Sequence, residues 1–165
     1  MNRSTLRTSL TVLLAALAIM AVGAGTFQSA MSIKIPKVQI ADAWARVGLE
    51  GGNSAIYLKL TNNQDQDLTL IGAETDVAQA TELHETTIGP DHVMRMEHIH
   101  AIELAANETV EFQPGGLHVM LIGLDKPLHE GDEILLRLIF EGYDPLSIAV
   151  KVQHGDGLGD HGHDH

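Results

Sequence analysis

Four side chains, two imidazoles and two thioethers, have the types and spacing of a site for a soft metal ion. In His118-Val119-Met120, the alternation of a β-strand sends the first and third side chains to one face and Val119 to the other. His84 and Met96 precede this pair, with 11 residues between them and 21 between Met96 and His118. Thioether sulfur is a soft donor that suits Cu(I), which accepts three or four ligands without a strict geometry, whereas zinc does not select methionine. The set therefore predicts a Cu(I) site.

The chain contains no cysteine. This excludes a disulfide framework, a thiolate zinc finger, an iron–sulfur cluster and a redox CxxC motif, and it excludes a blue-copper centre, which needs a cysteine sulfur. In an oxidising compartment thiols are lost to disulfides, whereas thioethers still bind metal and carry no proton to release. Neutral ligands hold the ion less tightly than thiolates, which favours transfer of the ion over permanent storage.

Each part of the set also has a plainer explanation. A methionine in a strand usually fills the core, and a histidine usually lies at the surface. The joint pattern favours a ligand set because each part adjoins a turn, where sites on a β-sandwich tend to lie. The acidic, cysteine-free composition of the chain points the same way.

A second pattern surrounds Met96. His92, Met94, Met96, His98 and His100 occupy alternate positions, so a continuous strand through them would display one face made only of methionine and histidine. Either the strand breaks near Glu97 or a second, weak metal site exists. We expect the break, with the two later histidines simply solvated, and we expect Met96 to be the ligand and Met94 to be packing or a reserve ligand.

The C-terminal tail, residues 153–165, has almost nothing to bury and is expected to be flexible. Its imidazoles and carboxylates suit Cu(II) or Zn(II) better than Cu(I). The alternative is a polar terminus without function. The histidines of this possible secondary site are His154, His161, His163 and His165.

The 165 residues support one folded domain, and 22 acidic against 10 basic residues give a formal net charge of −12. This balance repels phosphate backbones, so we expect no nucleic-acid partner and favour cations. Glu82, Glu85 and Asp91 lie near His84, but the sequence has no HExxH motif, nucleophile elbow or glycine-rich phosphate loop. We therefore predict a binding protein and not an enzyme.

The first 30 residues have the pattern of a secretory signal. Arg3 and Arg7 precede a charge-free apolar run over residues 10–24, and small residues follow it. This run is shorter than the roughly 20 residues that a spanning helix prefers. We expect a cleaved signal peptide, with an uncleaved signal anchor as the alternative, followed by a metal-binding domain over residues 31–152.

Between residues 33 and 152 the chain is predicted to be all-β. Short apolar or alternating stretches recur between glycine- and proline-rich turns, which is typical of a sandwich or barrel with sequential antiparallel strands. Residues 75–80 fit either a helical turn or a connection. We expect Trp44 and Tyr57 in the core and Tyr143 at a turn. The nine predicted strands cover residues 38–46, 54–61, 68–74, 80–87, 93–99, 108–112, 118–122, 133–140 and 146–152.

With these motifs in view, the sequence resembles the periplasmic copper chaperone family PCu(A)C over about residues 38–152. The resemblance rests on the spacing of His84, Met96, His118 and Met120, on the residues around them, and on further matching stretches of the chain. The matching stretches are Asp42-Ala43-Trp44-Ala45-Arg46, Ala55-Ile56-Tyr57-Leu58-Lys59-Leu60-Thr61-Asn62, Pro114-Gly115-Gly116-Leu117 and Leu124-Asp125-Lys126-Pro127-Leu128. Family members often carry a methionine just after the first histidine, where this chain has Glu85-Thr86-Thr87.

The resemblance implies a cupredoxin-like, Greek-key β-sandwich or barrel that binds one Cu(I) ion through these four residues. It also implies a periplasmic protein, soluble if the signal is cleaved and otherwise anchored to the inner membrane. Its function would be delivery of copper to the copper centres of cytochrome c oxidase, with an oxidase subunit or another copper chaperone as partner. The alternative is a periplasmic copper buffer, storage or metal-scavenging module with no dedicated recipient.

Overall fold

The computed structural model describes residues 33–90 and 92–155. The predicted signal or anchor segment, Asp91, His161, His163 and His165 lie outside these residues. The described chain forms ten strands and no helix, which confirms the all-β prediction. The strands are β1 Val38–Arg46, β2 Ser54–Asn62, β3 Leu68–Glu74, β4 Ala78–Ile88, β5 Met94–His98, β6 Ile102–Leu104, β7 Thr109–Phe112, β8 Leu117–Leu124, β9 Glu133–Phe140 and β10 Leu146–Gln153.

The strands follow the order β5-β4-β8-β7-β2-β1-β10-β9-β3-β6, and β8 also pairs with β2. Only the pairs β1–β2, β4–β5 and β9–β10 are antiparallel hairpins of consecutive strands. The expectation of sequential antiparallel strands was therefore wrong for most of the sheet. Most of the other pairs are antiparallel but join strands that are not consecutive, and β1–β10 and β7–β8 are parallel. Long connections that bring distant strands together are a feature of Greek-key sandwiches.

The apolar core is one cluster to which nine of the ten strands contribute, β5 being the exception. β9 shows the underlying pattern most clearly, because Ile134, Leu136, Leu138 and Phe140 alternate with more exposed neighbours. Burial of such side chains stabilises the fold by about 1.5–3 kcal/mol each. Apolar residues at alternate positions therefore hold the body of the sandwich together, and in β2 both faces of the strand are buried.

Most predicted strands match the observed ones within two residues at either end. The prediction missed β6, a strand of three residues that pairs with β3. Such a short segment has too few positions to display an alternation. No helical turn forms at residues 75–80, where two bent residues lead directly into β4.

A β-bulge lies near the middle of β1. The pairing with β2 shifts between Ala41 and Trp44, and Asp42 has a left-handed backbone with φ 52°. The extra residue places Trp44 opposite Tyr57 and Ala45 opposite Ile56. Ala45 and Ile56 are core residues, whereas the two aromatic rings lie on the other face of the sheet, 4.7 Å apart between centroids. The prediction of a core position was therefore wrong for Trp44, which is only partly buried, whereas the predicted burial of Tyr57 is confirmed.

β5 is an edge strand whose five residues are all exposed. It continues through Glu97 to His98, so the expected break near Glu97 was wrong, and His98 belongs to the strand. Only His100 lies beyond its end. His92, at the other end, has φ 58° and lies outside the strand. The methionine and histidine face therefore runs from Met94 to His98.

Candidate metal centre

The predicted donors lie on one face of the three neighbouring strands β5, β4 and β8. His84 on β4 is directly opposite His118 on β8 and His98 on β5. Residues directly opposite each other on paired strands point to the same face of the sheet. The same rule adds Met120, opposite Glu82, and Met96, opposite Thr86. His84, Met96, His118 and Met120, which are separated in sequence, therefore share one surface of the fold.

The two predicted imidazole ligands are within reach of a common ion. The ring centroids of His84 and His118 are 5.8 Å apart. Metal–imidazole bonds are about 2.0 Å long, so each ring centroid lies about 3 Å from a bound ion, and two rings that share an ion have centroids up to about 6 Å apart. The observed separation fits a wide N–metal–N angle.

His118 is held with one nitrogen free for an ion. Its side chain is buried, and Nδ1–H donates to the carbonyl oxygen of Gly116 at 3.0 Å. The turn before β8 makes this contact possible, because Gly115 has φ 81°, a conformation that favours glycine, and Gly116 N–H donates to the carbonyl of Gln113. A backbone acceptor at Nδ1 leaves the lone pair on Nε2. The turn therefore fixes both the ring and its tautomer.

His84 is held through its other ring nitrogen, Nε2, which leaves Nδ1 free. Its Nε2 lies 2.7 Å from a carboxylate oxygen of Glu82, and since an ionised carboxylate only accepts, Nε2–H is the donor. This hydrogen bond is the main cause that lowers the pKa of Glu82, and the nearby His98 lowers that pKa further. Nδ1 of His84 is buried and has no hydrogen-bond partner. Buried polar atoms are rarely unpaired in native proteins, so a ring nitrogen left in this state fits a position for a metal ion.

A cavity of about 470 Å³ opens beside the imidazole pair. His118, Met120, Met96 and Met94 line it, so three of the four predicted ligands meet there, and His84 adjoins it through its pairing with His118. Arg46 and Arg95 also line the cavity, and no carboxylate of the described chain does. The cavity wall therefore offers imidazole and thioether donors without the carboxylates that usually bind hard cations.

Among residues 33–90 and 92–155, no three histidine, aspartate or glutamate side chains are placed to hold a metal ion. Nitrogen and oxygen donors alone do not complete a site there. The further donors on the same face as the two imidazoles are the thioethers of Met96 and Met120, which are soft ligands.

Met94 and Met96 differ in their distance from the imidazoles. Met96 is opposite Thr86, one same-face position from His84, and Met94 is opposite Ile88, one further position along the strand. Each such step is about 7 Å. Both side chains are more than half exposed and reach the cavity. The register therefore places Met96 nearer to His84, as the sequence-based assignment requires.

Some neighbours of the centre were not predicted to be part of it. Glu82 was not predicted to support the copper site, although its place two residues before His84 puts it on the same face of a strand. Tyr57 lies beside His118, at 6.3 Å between ring centroids, and Trp44 lies behind Tyr57. His98 was expected to lie beyond the strand, but its ring is 5.6 Å from that of His84.

Two further histidines of the described chain lie outside β4, β5 and β8. His129 is exposed in the turn before β9, with Nδ1 3.7 Å from Asp132. His154, the first histidine of the tail, is exposed and lies 3.7 Å from Glu130.

Tyr143 is at a turn, as predicted, and its hydroxyl donates a hydrogen bond to Gln64.

The chain is similar in sequence to a family of lipoprotein-like proteins. The family described as putative lipoprotein LpqE-like matches residues 38–152. A putative lipoprotein of Leifsonia xyli subsp. xyli is 29% identical over 120 residues, which cover 73% of this chain and 72% of that protein. Within the described residues, no helix has the length and apolar character needed to cross a membrane.

Solved structures share the fold. The copper-bound PCuAC domain from PmoF2 matches with a TM-score of 0.60 and 25% identity, over 75% of this chain and 99% of that domain. The Cu(I)-bound DR1885 protein of Deinococcus radiodurans matches with a TM-score of 0.54 and 30% identity, over 79% of this chain and 87% of that one. The resemblance to PCu(A)C proteins is thereby confirmed, and the chain belongs to the PCu(A)C-related, LpqE-like lipoprotein family.

Proposed function

We propose that this protein binds one Cu(I) ion through His84, Met96, His118 and Met120. The observation that carries the proposal is the state of the two imidazoles: they face each other at 5.8 Å, and each has one nitrogen committed to a neighbouring acceptor. The free nitrogens are then Nδ1 of His84 and Nε2 of His118. The methionines beside them supply the soft donors that favour Cu(I) over zinc.

The protein is a carrier in this proposal and not an enzyme. Copper is the cargo, held by four neutral ligands near the surface, where a recipient can approach. Met96 is 53% exposed and lies on an edge strand, so an incoming ligand has access to the ion from that side. Release requires only that ligands of the recipient replace those of the carrier, with the oxidation state unchanged. The copper-bound PCuAC domain and the Cu(I)-bound DR1885 protein among the structural relatives support copper as the ion.

From the family resemblance we propose that the recipients of the copper are the copper centres of cytochrome c oxidase. The lipoproteins among the relatives support export, and we place the protein in the periplasm. The alternative is a periplasmic buffer or scavenger that uses the same site without a dedicated recipient. A transfer assay separates the two functions: a buffer gives copper to an apo oxidase copper domain no faster than to a small chelator of equal affinity.

The site itself is tested by anaerobic Cu(I) titration of the wild type against the double variant His118→Ala, Met120→Ala. We expect the variant to lose the tight Cu(I) equivalent that the wild type binds. Trp44, the single tryptophan of the chain, gives a second measurement, since its ring packs on Tyr57, which adjoins His118. Its fluorescence should decrease as Cu(I) fills the wild-type site and stay constant in the double variant.

His129→Ala is the matched control, because this histidine is exposed in a distant turn. It should bind Cu(I) as the wild type does. Equal tight binding by the wild type and the double variant would exclude the proposed site.

A further inference from the structure

The imidazoles of the site belong to a longer row that crosses the sheet to its edge. His118, His84 and His98 are directly opposite one another on β8, β4 and β5, and His100 follows the end of β5. The separations between ring centroids are 5.8 Å for the first two, 5.6 Å for the next two and 4.7 Å between His98 and His100. The four-ligand site uses only the inner two of these histidines.

The outer two histidines satisfy the same geometric condition. Two rings that share one metal ion have centroids up to about 6 Å apart, and about 5 Å when the N–metal–N angle is tetrahedral. The 4.7 Å between His98 and His100 is close to the second value. These rings are exposed, and they line a separate hollow of about 420 Å³ together with Glu82 and Ile99. They therefore offer a position distinct from the cavity that contains Met120.

The donors at this edge select for the same ion. The described chain brings no third histidine or carboxylate into position to complete a site there, so zinc lacks its four ligands. A monovalent d¹⁰ ion accepts two imidazoles, with a thioether as a further ligand. Met96 lies two residues before His98 on the same face of β5, about 7 Å along the strand. It thus flanks His98 on the side opposite His100.

We infer that His98 and His100 form a second, weaker Cu(I) site at the exposed edge of the sheet, from which copper leaves for its recipient. The inference rests on the proposed function. The rings of His84 and His98 are adjacent, 5.6 Å apart between centroids, so an ion moves from the inner to the outer position by forming one metal–ligand bond as another breaks. Copper stays Cu(I), and no proton is released because neutral imidazole is the ligand.

The test is an anaerobic Cu(I) titration of the full chain in competition with a colorimetric Cu(I) chelator. Each of the variants His98→Gln and His100→Gln should bind one weak Cu(I) equivalent fewer than the wild type and keep the tight one. His129→Gln is the control and should bind the wild-type number. A wild-type stoichiometry in both edge variants would overturn the second site.

Ag(I), a diamagnetic substitute for Cu(I), gives an independent readout by nuclear magnetic resonance. The first equivalent should shift the ring signals of His84 and His118, and the second those of His98 and His100. If the second equivalent leaves the His98 and His100 signals unchanged, the edge site is wrong while the inner site stands. If the first equivalent does not affect His118, the proposed function itself is wrong.

Discussion

His84 and His118 face each other across the β4–β8 pair, and each ring is oriented by a neighbour two residues before it in sequence. Glu82 holds Nε2 of the first ring, and the Gly116 carbonyl holds Nδ1 of the second. The nitrogen without a hydrogen-bonded acceptor is therefore Nδ1 in His84 and Nε2 in His118. Acceptors that bind the second nitrogen of a metal-binding imidazole fix the orientation of the ring and raise its basicity.

Replacement of Glu82 by glutamine tests this orientation. The amide is a weaker acceptor than the carboxylate and no longer fixes the His84 ring, so we expect the affinity for Cu(I) to fall about 10–100-fold while the stoichiometry is unchanged. Competition with a Cu(I) chelator measures the change. Glu85→Gln is the control, because Glu85 lies on the opposite face of β4. Equal affinities of the two variants would show that the carboxylate does not support the site.

The two exposed methionines of β5 give a paired comparison. Met96→Leu should weaken Cu(I) binding by at least about tenfold, since it removes a sulfur ligand and keeps the apolar volume. Met94→Leu should bind nearly as the wild type does, because Met94 is one same-face position further from His84. Chelator competition on both variants checks the assignment. Loss of binding in Met94→Leu with normal binding in Met96→Leu would reverse it.

The stability of the fold should be separable from metal binding. Leu83 precedes His84, but its side chain points into the core and is almost fully buried. Leu83→Ala should lower the free energy of unfolding by about 2–5 kcal/mol, because it leaves a cavity in a packed core. Met96→Ala, at an exposed position, should change the same free energy by less than about 0.5 kcal/mol. Urea denaturation of the metal-free proteins measures both values, and a large loss in Met96→Ala would contradict this division.

The C-terminal histidines provide a prediction about Cu(II). Deletion of residues 154–165 should remove one Cu(II) equivalent and leave Cu(I) binding unchanged, because imidazole and carboxylate donors suit the divalent ion. Equilibrium dialysis with Cu(II), and chelator competition for Cu(I), measure the two effects. Unchanged Cu(II) uptake after the deletion would mean that the tail histidines do not form a site.

Local alternation was enough to place His118 and Met120 on one face, because the period of a strand is fixed by its backbone. The same rule applies to Glu82 and His84. It did not reveal that β1 pairs in parallel with β10, since such a contact between distant segments leaves no local pattern. The position of Trp44 was wrong for a related reason: the left-handed Asp42 inserts one residue, and an alternation counted through the bulge assigns the wrong face.

The end of β5 could not be predicted from the alternation of residues alone. Met94, Met96, His98 and His100 keep the same alternation, and only the pairing of His98 with His84 determines that the strand includes His98 and stops before His100. That pairing depends on β4, a partner whose register cannot be deduced from β5 alone. The row of four imidazoles is thus a product of the three-strand register.

The exposure of every residue of β5 has a consequence for the release of copper. This edge strand pairs with β4, and none of its residues belongs to the core. Segments of this kind open at a low cost in free energy while the rest of a protein stays folded. In the proposed site, separation of β5 from β4 withdraws the Met96 sulfur and leaves the other three proposed ligands in place, so Cu(I) can dissociate without global unfolding. A bound ion should, in turn, slow amide hydrogen exchange in β5 more than in any core strand.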